Sequence, residues 1–152
     1  MKKLVRVLIL VLIVMLVFGK ASSISANNPN LPLGQTAYTT GEIIVNGVEI
    51  EAPRPSVTDG VIMLPLRPIV EELGFDIFWD GNEGRIDIGE NYMLWIGQPK
   101  FSSDGGLTIR EFGPAPEIID GRTFVPISLF NYGFTGYSAK IEAGKVIINI
   151  LS

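Results

Sequence analysis

The sequence repeats itself at an offset of 61 residues, and this internal duplication restricts the folds open to the chain. Residues 53–66 align without a gap on residues 114–127. The identical positions are Pro53/Pro114, Pro55/Pro116, Asp59/Asp120, Gly60/Gly121 and Pro65/Pro126. Further along, the offset falls to 59, so that Gly74 aligns with Gly133. Two copies, at about 43–89 and 91–150, predict a duplicated unit rather than a long repeat array.

Three dipeptides in the repeat predict tight turns between short strands. They are Asn46-Gly47, Asp59-Gly60 and Asp120-Gly121. Asn or Asp followed by Gly tolerates the left-handed backbone of a two-residue hairpin, so each dipeptide indicates a pair of antiparallel strands.

A short helix is predicted in each copy. After Pro65, the residues Leu66, Ile69, Val70 and Leu73 follow helical spacing, and Gly74 supplies a C-terminal stop. In the second copy, the segment from Pro126 to Tyr132 predicts a shorter helix that ends at Gly133. The expected fold class is therefore α+β, with mainly antiparallel strands and one short helix per repeat.

The strands that follow the first helix indicate which side chains are buried. Phe75, Ile77 and Trp79 alternate along one strand and share a face. Tyr92 to Ile96 is apolar on both faces, which predicts a central strand. Both tryptophans, Trp79 and Trp95, are expected in the core, although sugar-stacking platforms are the alternative.

The N-terminus has the pattern of a signal peptide. Four of the 12 basic residues lie in the first 20 positions, and Val7 to Phe18 is entirely apolar. Residues 1–26 are predicted to be a signal peptide cleaved after position 23–26, and residues 27–41 a polar linker. The alternative is an uncleaved anchor, which would be the chain's contact with a membrane. The remaining domain, 42–152, holds eight basic and sixteen acidic residues, a net charge of −8.

Composition excludes several kinds of function. The chain has no Cys and no His, which removes disulfides, thiolate and imidazole metal ligands, and the Ser-His-Asp triad. Its acidic charge does not suit nucleic acid. Glu71 and Glu72 point about 100° apart on a helix, and the loop from Asp80 lacks calcium-site spacing. The sequence predicts no enzyme, no cofactor and no copper.

Taken in order, these motifs resemble the copper amine oxidase N-terminal-like domain, also called the stalk domain, of Gram-positive bacterial surface proteins. The resemblance covers about residues 43–150, and 120–126 match its central motif closely. It implies a sheet twisted around helices, outside the cytoplasm, with no catalysis. In the amine oxidase, copper belongs to another domain, so the resemblance implies no copper chemistry here. The second copy departs from the pattern, because Ser128 stands where Arg67 does and Ser138-Ala139 replace Trp79-Asp80.

The expected function is a non-catalytic, extracytoplasmic interaction or stalk module associated with the cell envelope. The alternative is a module that binds glycan or peptidoglycan. The partner would be an envelope protein or a cell-wall polymer, and the protein would be secreted or held at the cell surface.

Three residues are candidates for partner binding. Phe78 and Tyr137 occupy equivalent positions at the offset of 59, and Phe78 lies between Asp76 and Asp80 on the outer side of its strand. Either a helix or the Tyr92–Ile96 strand covers both aromatic residues, or they form a partner-binding patch. Arg67 either binds a carboxylate of a partner or forms an ion pair with Glu71 or Asp80.

Overall fold

The computed structural model describes residues 41–151, which form three β-sheets, one α-helix and one π-helical turn. The predicted signal peptide and all but the last residue of the predicted linker lie outside these residues. The described part is predominantly β-sheet, so helices contribute less than an α+β description suggests. No helix between residues 41 and 151 combines the length and the apolar character needed to cross a membrane.

The elements follow one another along the chain as short strands, with the helical segments after β4 and β11. The strands are β1 (Ile43–Val45), β2 (Val48–Ile50), β3 (Ser56–Thr58), β4 (Val61–Pro65), β5 (Ile77–Asp80), β6 (Arg85–Ile88), β7 (Tyr92–Trp95), β8 (Lys100–Ser102), β9 (Arg110–Glu111), β10 (Glu117–Ile119), β11 (Arg122–Pro126), β12 (Tyr137–Glu142) and β13 (Lys145–Ile150). The helix α1 spans Leu66–Glu72, and the π-helical turn spans Leu129–Gly133.

The strands form three sheets. The terminal sheet has the order β12-β13-β1-β2, the central sheet β10-β11-β4-β3, and the outer sheet β5-β6-β7-β8-β9. Within the described residues, β1 and β13 are the one parallel pair, and all other pairs are antiparallel. The strand β7 lies in the middle of the outer sheet, which confirms the central strand predicted from its two apolar faces.

The central sheet curls until its two edges meet. Its edge strands are β3 and β10, and the Thr58 hydroxyl on β3 donates a hydrogen bond to the Glu117 carboxylate on β10. Met63 and Phe124, on the enclosed side, are 0% and 4% exposed. The sheet thus has a small interior of its own beside the main core.

All three predicted tight turns are present. Their first residues, Asn46, Asp59 and Asp120, have φ angles of 49–50°, and the glycines that follow have φ angles of 74–82°. Two consecutive left-handed residues form the type I′ turn, whose twist matches that of antiparallel strands.

The first predicted helix is confirmed, including its end. Leu66, Ile69 and Val70 are fully buried. Gly74 adopts a φ of 86° and donates to the Glu71 carbonyl at 3.0 Å, while Phe75 donates to the Val70 carbonyl at 2.9 Å. These two bonds satisfy carbonyls that the last turn leaves unpaired.

The second predicted helix is wrong in type and extent. Two residues fewer separate Pro126 from Gly133 than separate Pro65 from Gly74. The chain forms a π-helical turn instead, closed by a 3.0 Å bond from the Phe134 N–H to the Leu129 carbonyl. Gly133 is not a left-handed cap. A Cβ there would meet Leu129 Cδ1 at 2.6 Å, so glycine is needed for close packing.

The centre of the core is a group of aromatic rings around Phe134, which is 1% exposed. The ring centroids nearest to that of Phe134 belong to Tyr92 at 4.4 Å, Phe130 at 5.3 Å, Phe75 at 5.9 Å, Phe101 at 6.1 Å and Tyr137 at 6.2 Å. Because these rings come from the outer sheet, the terminal sheet and the π-helical turn, the cluster binds the elements of the domain to one another.

Candidate interaction groove

A groove of about 670 Å³ lies beside β5 and extends across the outer sheet to Ile86 on β6 and Ile96 beyond β7. Its other walls are α1 and the turn between β10 and β11. Its lining is mostly apolar, with charged side chains at α1 and β11: Pro53, Pro65, Arg67, Pro68, Glu71, Ile77, Phe78, Trp79, Ile86, Ile96, Ile118, Gly121, Arg122 and Thr123. We call this the interaction groove. Its volume falls within the range of small-ligand pockets.

Three large apolar side chains of the interaction groove are exposed to solvent. Phe78 is 66% exposed, Ile118 is 53% exposed and Trp79 is 48% exposed. Monomeric proteins rarely leave such side chains together on the surface without a function. The groove therefore has the composition of a binding surface.

Two predictions about burial are wrong here. Trp79 was expected in the core, but the core covers its strand only as far as Ile77, which is partly buried. Because β5 is the edge of the outer sheet, the Trp79 ring reaches past the core into the groove. The expectation that other elements cover Phe78 fails for the same reason. Trp95 also lies outside the core cluster and is only half-buried.

Arg67 and Tyr137 lie in different surroundings. Arg67 pairs with Glu71 at 3.1 Å, one helical turn away, and both side chains are more than half exposed at the groove. The Tyr137 ring lies 6.0 Å from Phe75 and contacts the core cluster, and burial raises its pKa. Tyr137 does not line the groove, so Phe78 and Tyr137 do not form one patch.

Asp80 is occupied elsewhere, which leaves Glu71 as the partner of Arg67. Asp80 lies 3.7 Å from Arg85, which also binds Glu83 and Asp87. The hydrogen bond that Arg85 donates to the Asp87 carboxylate is the main reason that the pKa of Arg85 is raised.

The loop after Asp80, whose sequence lacks calcium-site spacing, is a hairpin turn between β5 and β6. Asp80 Oδ1 accepts hydrogen bonds from the backbone N–H groups of Asn82 at 3.0 Å and Glu83 at 3.3 Å. Such bonds stabilise a turn and occupy an oxygen that a cation would need.

Arg122 is the second cation of the groove. It lies at the start of β11, and no ion pair to it is formed within residues 41–151. Sequence reasoning missed Arg122 and Ile118, because only the curled central sheet brings the β10–β11 turn beside β5. The Asp120-Gly121 dipeptide predicts a turn, but it does not indicate that this turn lies beside β5.

The sequence profile of the copper amine oxidase N-terminal domain matches residues 44–150. The chain belongs to the copper amine oxidase N-terminal domain family. This confirms the family expected from the sequence motifs. In copper amine oxidases this N-terminal domain is non-catalytic. Neither the curated proteins nor the solved structures searched give a match to the chain.

The residues of this copper amine oxidase N-terminal domain do not fit copper. The whole sequence lacks His and Cys, the side chains that copper favours in proteins. Among residues 41–151, no three acidic side chains come together in a way that could hold a metal ion. The family name therefore transfers no metal chemistry to this chain.

Proposed function

We propose that this domain is a non-catalytic interaction module of the cell envelope, which holds a partner protein in the interaction groove. The observation that carries the proposal is the joint exposure of Phe78, Trp79 and Ile118 in one groove. Aromatic residues are enriched at the energetically dominant positions of protein interfaces. Arg67 and Arg122 supply the charged margin that such an apolar centre usually has.

The location outside the cytoplasm is supported by the sequence of the N-terminus. A basic end, a short apolar run and small residues near positions 21–26 are typical of export. A surface protein of a Gram-positive bacterium, secreted or retained at the envelope, is the proposed setting.

The pairing of β4 with β11 supports the duplicated construction that we also propose. Pro65 lies opposite Phe124, and Pro126 lies opposite Met63, with Leu64 opposite Val125 between them. At the offset of 61, Met63 corresponds to Phe124 and Pro65 to Pro126. Exchanging the two copies therefore reproduces the same register, as expected for two copies related by a twofold axis.

Binding of a glycan is the second candidate, and the exposed Trp79 ring favours it. A half-exposed indole in a groove can stack on a sugar ring, and the Arg67–Glu71 pair offers hydrogen-bonding groups beside it. The protein partner is preferred because Phe78, Ile118 and the prolines make most of the lining apolar.

Co-sedimentation with purified cell walls tests the proposal. The purified protein is mixed with walls that retain their proteins and with walls stripped of protein. We expect binding to the first and loss of binding to the second, whereas binding to bare walls would favour the glycan.

A pair of variants assigns the binding to the groove. Phe78→Ser should abolish binding to the walls. Tyr132→Ser is the matched control, because Tyr132 is an aromatic residue 84% exposed outside the groove. If both variants bind like the wild type, the interaction groove is not the binding surface.

A further inference from the structure

We infer that the partner binds as an added β-strand on the free edge of β5, with an acidic side chain at Arg122. This inference rests on the proposed function and states how the partner is held. Four observations carry it: the direction of the β5 backbone groups, the blocking of the corresponding edge at β12, the side chains that line the groove and their charge.

The backbone of β5 presents unpaired groups to the groove. Gly89 donates to the Asp76 carbonyl at 2.8 Å, which makes Asp76 and Gly89 a hydrogen-bonded pair of the β5–β6 ladder. Such pairs alternate along antiparallel strands, so Phe78 and Asp80 also bond to β6. The N–H and C=O groups of Ile77 and Trp79 therefore point away from β6, toward the free edge. No other group among the described residues forms a hydrogen bond with them.

The corresponding edge of the terminal sheet is blocked by a side chain. Asn131 accepts a 2.7 Å bond from the Ala139 N–H and donates a 3.0 Å bond to the Ala139 carbonyl. Its amide thus occupies the place of a neighbouring strand along β12. Both β12 and β5 follow a helical segment and lie at a sheet edge, but β5 has no such amide. At the offset of 59, Glu72 stands in place of Asn131, and it is exposed.

Exposed edges are usually protected in other ways, and β5 has few of these protections. Natural edge strands are short, or carry charged residues such as lysine, proline or a bulge, or other elements cover them. β5 is four residues long and ends in the charged Asp80, but it has neither lysine nor proline. By comparison, the edges β3 and β10 contact each other through Thr58 and Glu117. An uncovered apolar edge beside a groove is the arrangement used for strand addition.

The groove is lined by side chains from both faces of β5 and extends to Ile86 on β6 and Ile96 beyond β7. Its lining includes Ile77 and Trp79 from one face of β5 and Phe78 from the other. An added strand has the same alternation, so one set of its side chains meets Trp79 and the other meets Phe78. An extended segment at the edge of β5 can contact side chains of both faces together with the backbone groups between them.

The charge of the groove selects an acidic segment. The exported chain has a predicted net charge of −8, yet two of its eight basic residues line this groove. Glu71 already neutralises Arg67, whereas Arg122 has no ion pair within the described residues. A carboxylate on the added strand would supply the missing partner. We therefore assign the occupant as an extended acidic peptide segment of another protein.

Fluorescence anisotropy with labelled synthetic peptides tests the inference on the full-length protein. The probe is an extended peptide of alternating valine and aspartate. A lysine version should bind about tenfold more weakly or worse, and a version N-methylated at alternate positions should lose about tenfold for each main-chain bond removed. Equal binding of the aspartate and N-methylated peptides would overturn strand addition, as would no binding of any peptide.

Variants of the protein separate the backbone from the side chain. Trp79→Val and Trp79→Pro both remove the indole, but only proline removes the N–H that points to the free edge. We expect the proline variant to bind at least about tenfold more weakly than the valine variant. Arg122→Gln should remove the preference for aspartate over lysine, whereas Arg110→Gln, at an exposed arginine outside the groove, should keep it.

The same variants distinguish failure of this inference from failure of the proposed function. If cell walls retain wild-type protein and lose Phe78→Ser, but Trp79→Pro binds them like Trp79→Val, the groove binds a partner in some other way. If walls with their proteins do not bind the wild type, both proposals fall. A dimer in sedimentation velocity that Trp79→Pro dissociates would make a second copy of this chain the occupant and would overturn the assignment to another protein.

Discussion

Replacing two phenylalanines by alanine tests whether Phe78 is a surface residue and Phe134 a core residue. The chemical change is the same at both positions, so the difference in unfolding free energy measures the difference in burial. A phenylalanine side chain buries about 200 Å² when fully enclosed, worth about 5 kcal/mol at 25 cal/mol per Å².

The exposures of the two side chains set the expected magnitudes. Phe134 is 1% exposed, so its side chain contributes nearly all of this stabilisation. The cavity that alanine would leave among five aromatic rings adds to the cost of the substitution. We expect Phe134→Ala to cost about 3–5 kcal/mol. Phe78 is 66% exposed and therefore about a third buried. Its contribution is at most about 1.7 kcal/mol, and alanine retains part of that.

Urea unfolding followed by circular dichroism measures both variants against the wild type. The slope of the unfolding free energy against urea concentration should be the same as in the wild type, because both variants expose nearly the same surface on unfolding. A cost for Phe78→Ala within about 1 kcal/mol of that for Phe134→Ala would contradict the placement of Phe78 at the groove. It would also remove the basis for the proposed binding surface.

Four further outcomes follow from the structure and the sequence. Asn46→Ala should cost about 1–2 kcal/mol in thermal or urea unfolding, because it removes a residue suited to a left-handed turn and the 2.9 Å bond that its side chain accepts from Ile150. Asp104 has a pKa of about 2, below its ordinary 3.8, chiefly because it accepts a hydrogen bond from the Thr108 backbone. Its stabilising effect is complete above about pH 4 and is lost as the pH falls through 2, so the difference in stability between the wild type and Asp104→Asn should shrink over that interval in an acid titration. Elemental analysis after dialysis should find neither stoichiometric copper nor stoichiometric zinc. The intact mass of the exported protein should correspond to a chain that begins between residues 24 and 27. A mass that includes Met1 would establish an uncleaved anchor.

The turns and the first helix could be predicted from the sequence because local chemistry determines them. Asn46, Asp59 and Asp120 each precede a glycine, and that dipeptide suits a type I′ turn in almost any surrounding. The buried face of α1 follows from the spacing of Leu66, Ile69 and Val70.

The position of the core relative to each strand could not be predicted in the same way. Alternation places Trp79 on the same face as Ile77, but it does not reveal that the core ends between them. The equivalence of Phe78 and Tyr137 failed for a related reason. Tyr137 shares its face with the buried Ala139, so the inward faces of the two strands correspond at an offset of 60 rather than 59. A shift of one residue reverses every side chain of a strand.

The interaction groove depends on contacts between distant parts of the chain. Arg122 and Ile118 reach β5 only because β11 pairs with β4 and the central sheet curls. No local pattern in the sequence contains that information.

The parallel pairing of β1 with β13 determines how the domain bears a mechanical load. Ile43 to Val45 lie beside Val146 to Ile148, and both strands run in the same direction. A force applied through Gly41 and Leu151 pulls the two strands in opposite directions along their common axis. All the hydrogen bonds between them then carry the load together, whereas an antiparallel hairpin such as β12–β13, pulled at its open end, breaks its bonds one after another. Tension between Gly41 and Leu151 therefore loads the β1–β13 pair in shear, the direction in which a β-ladder is strongest.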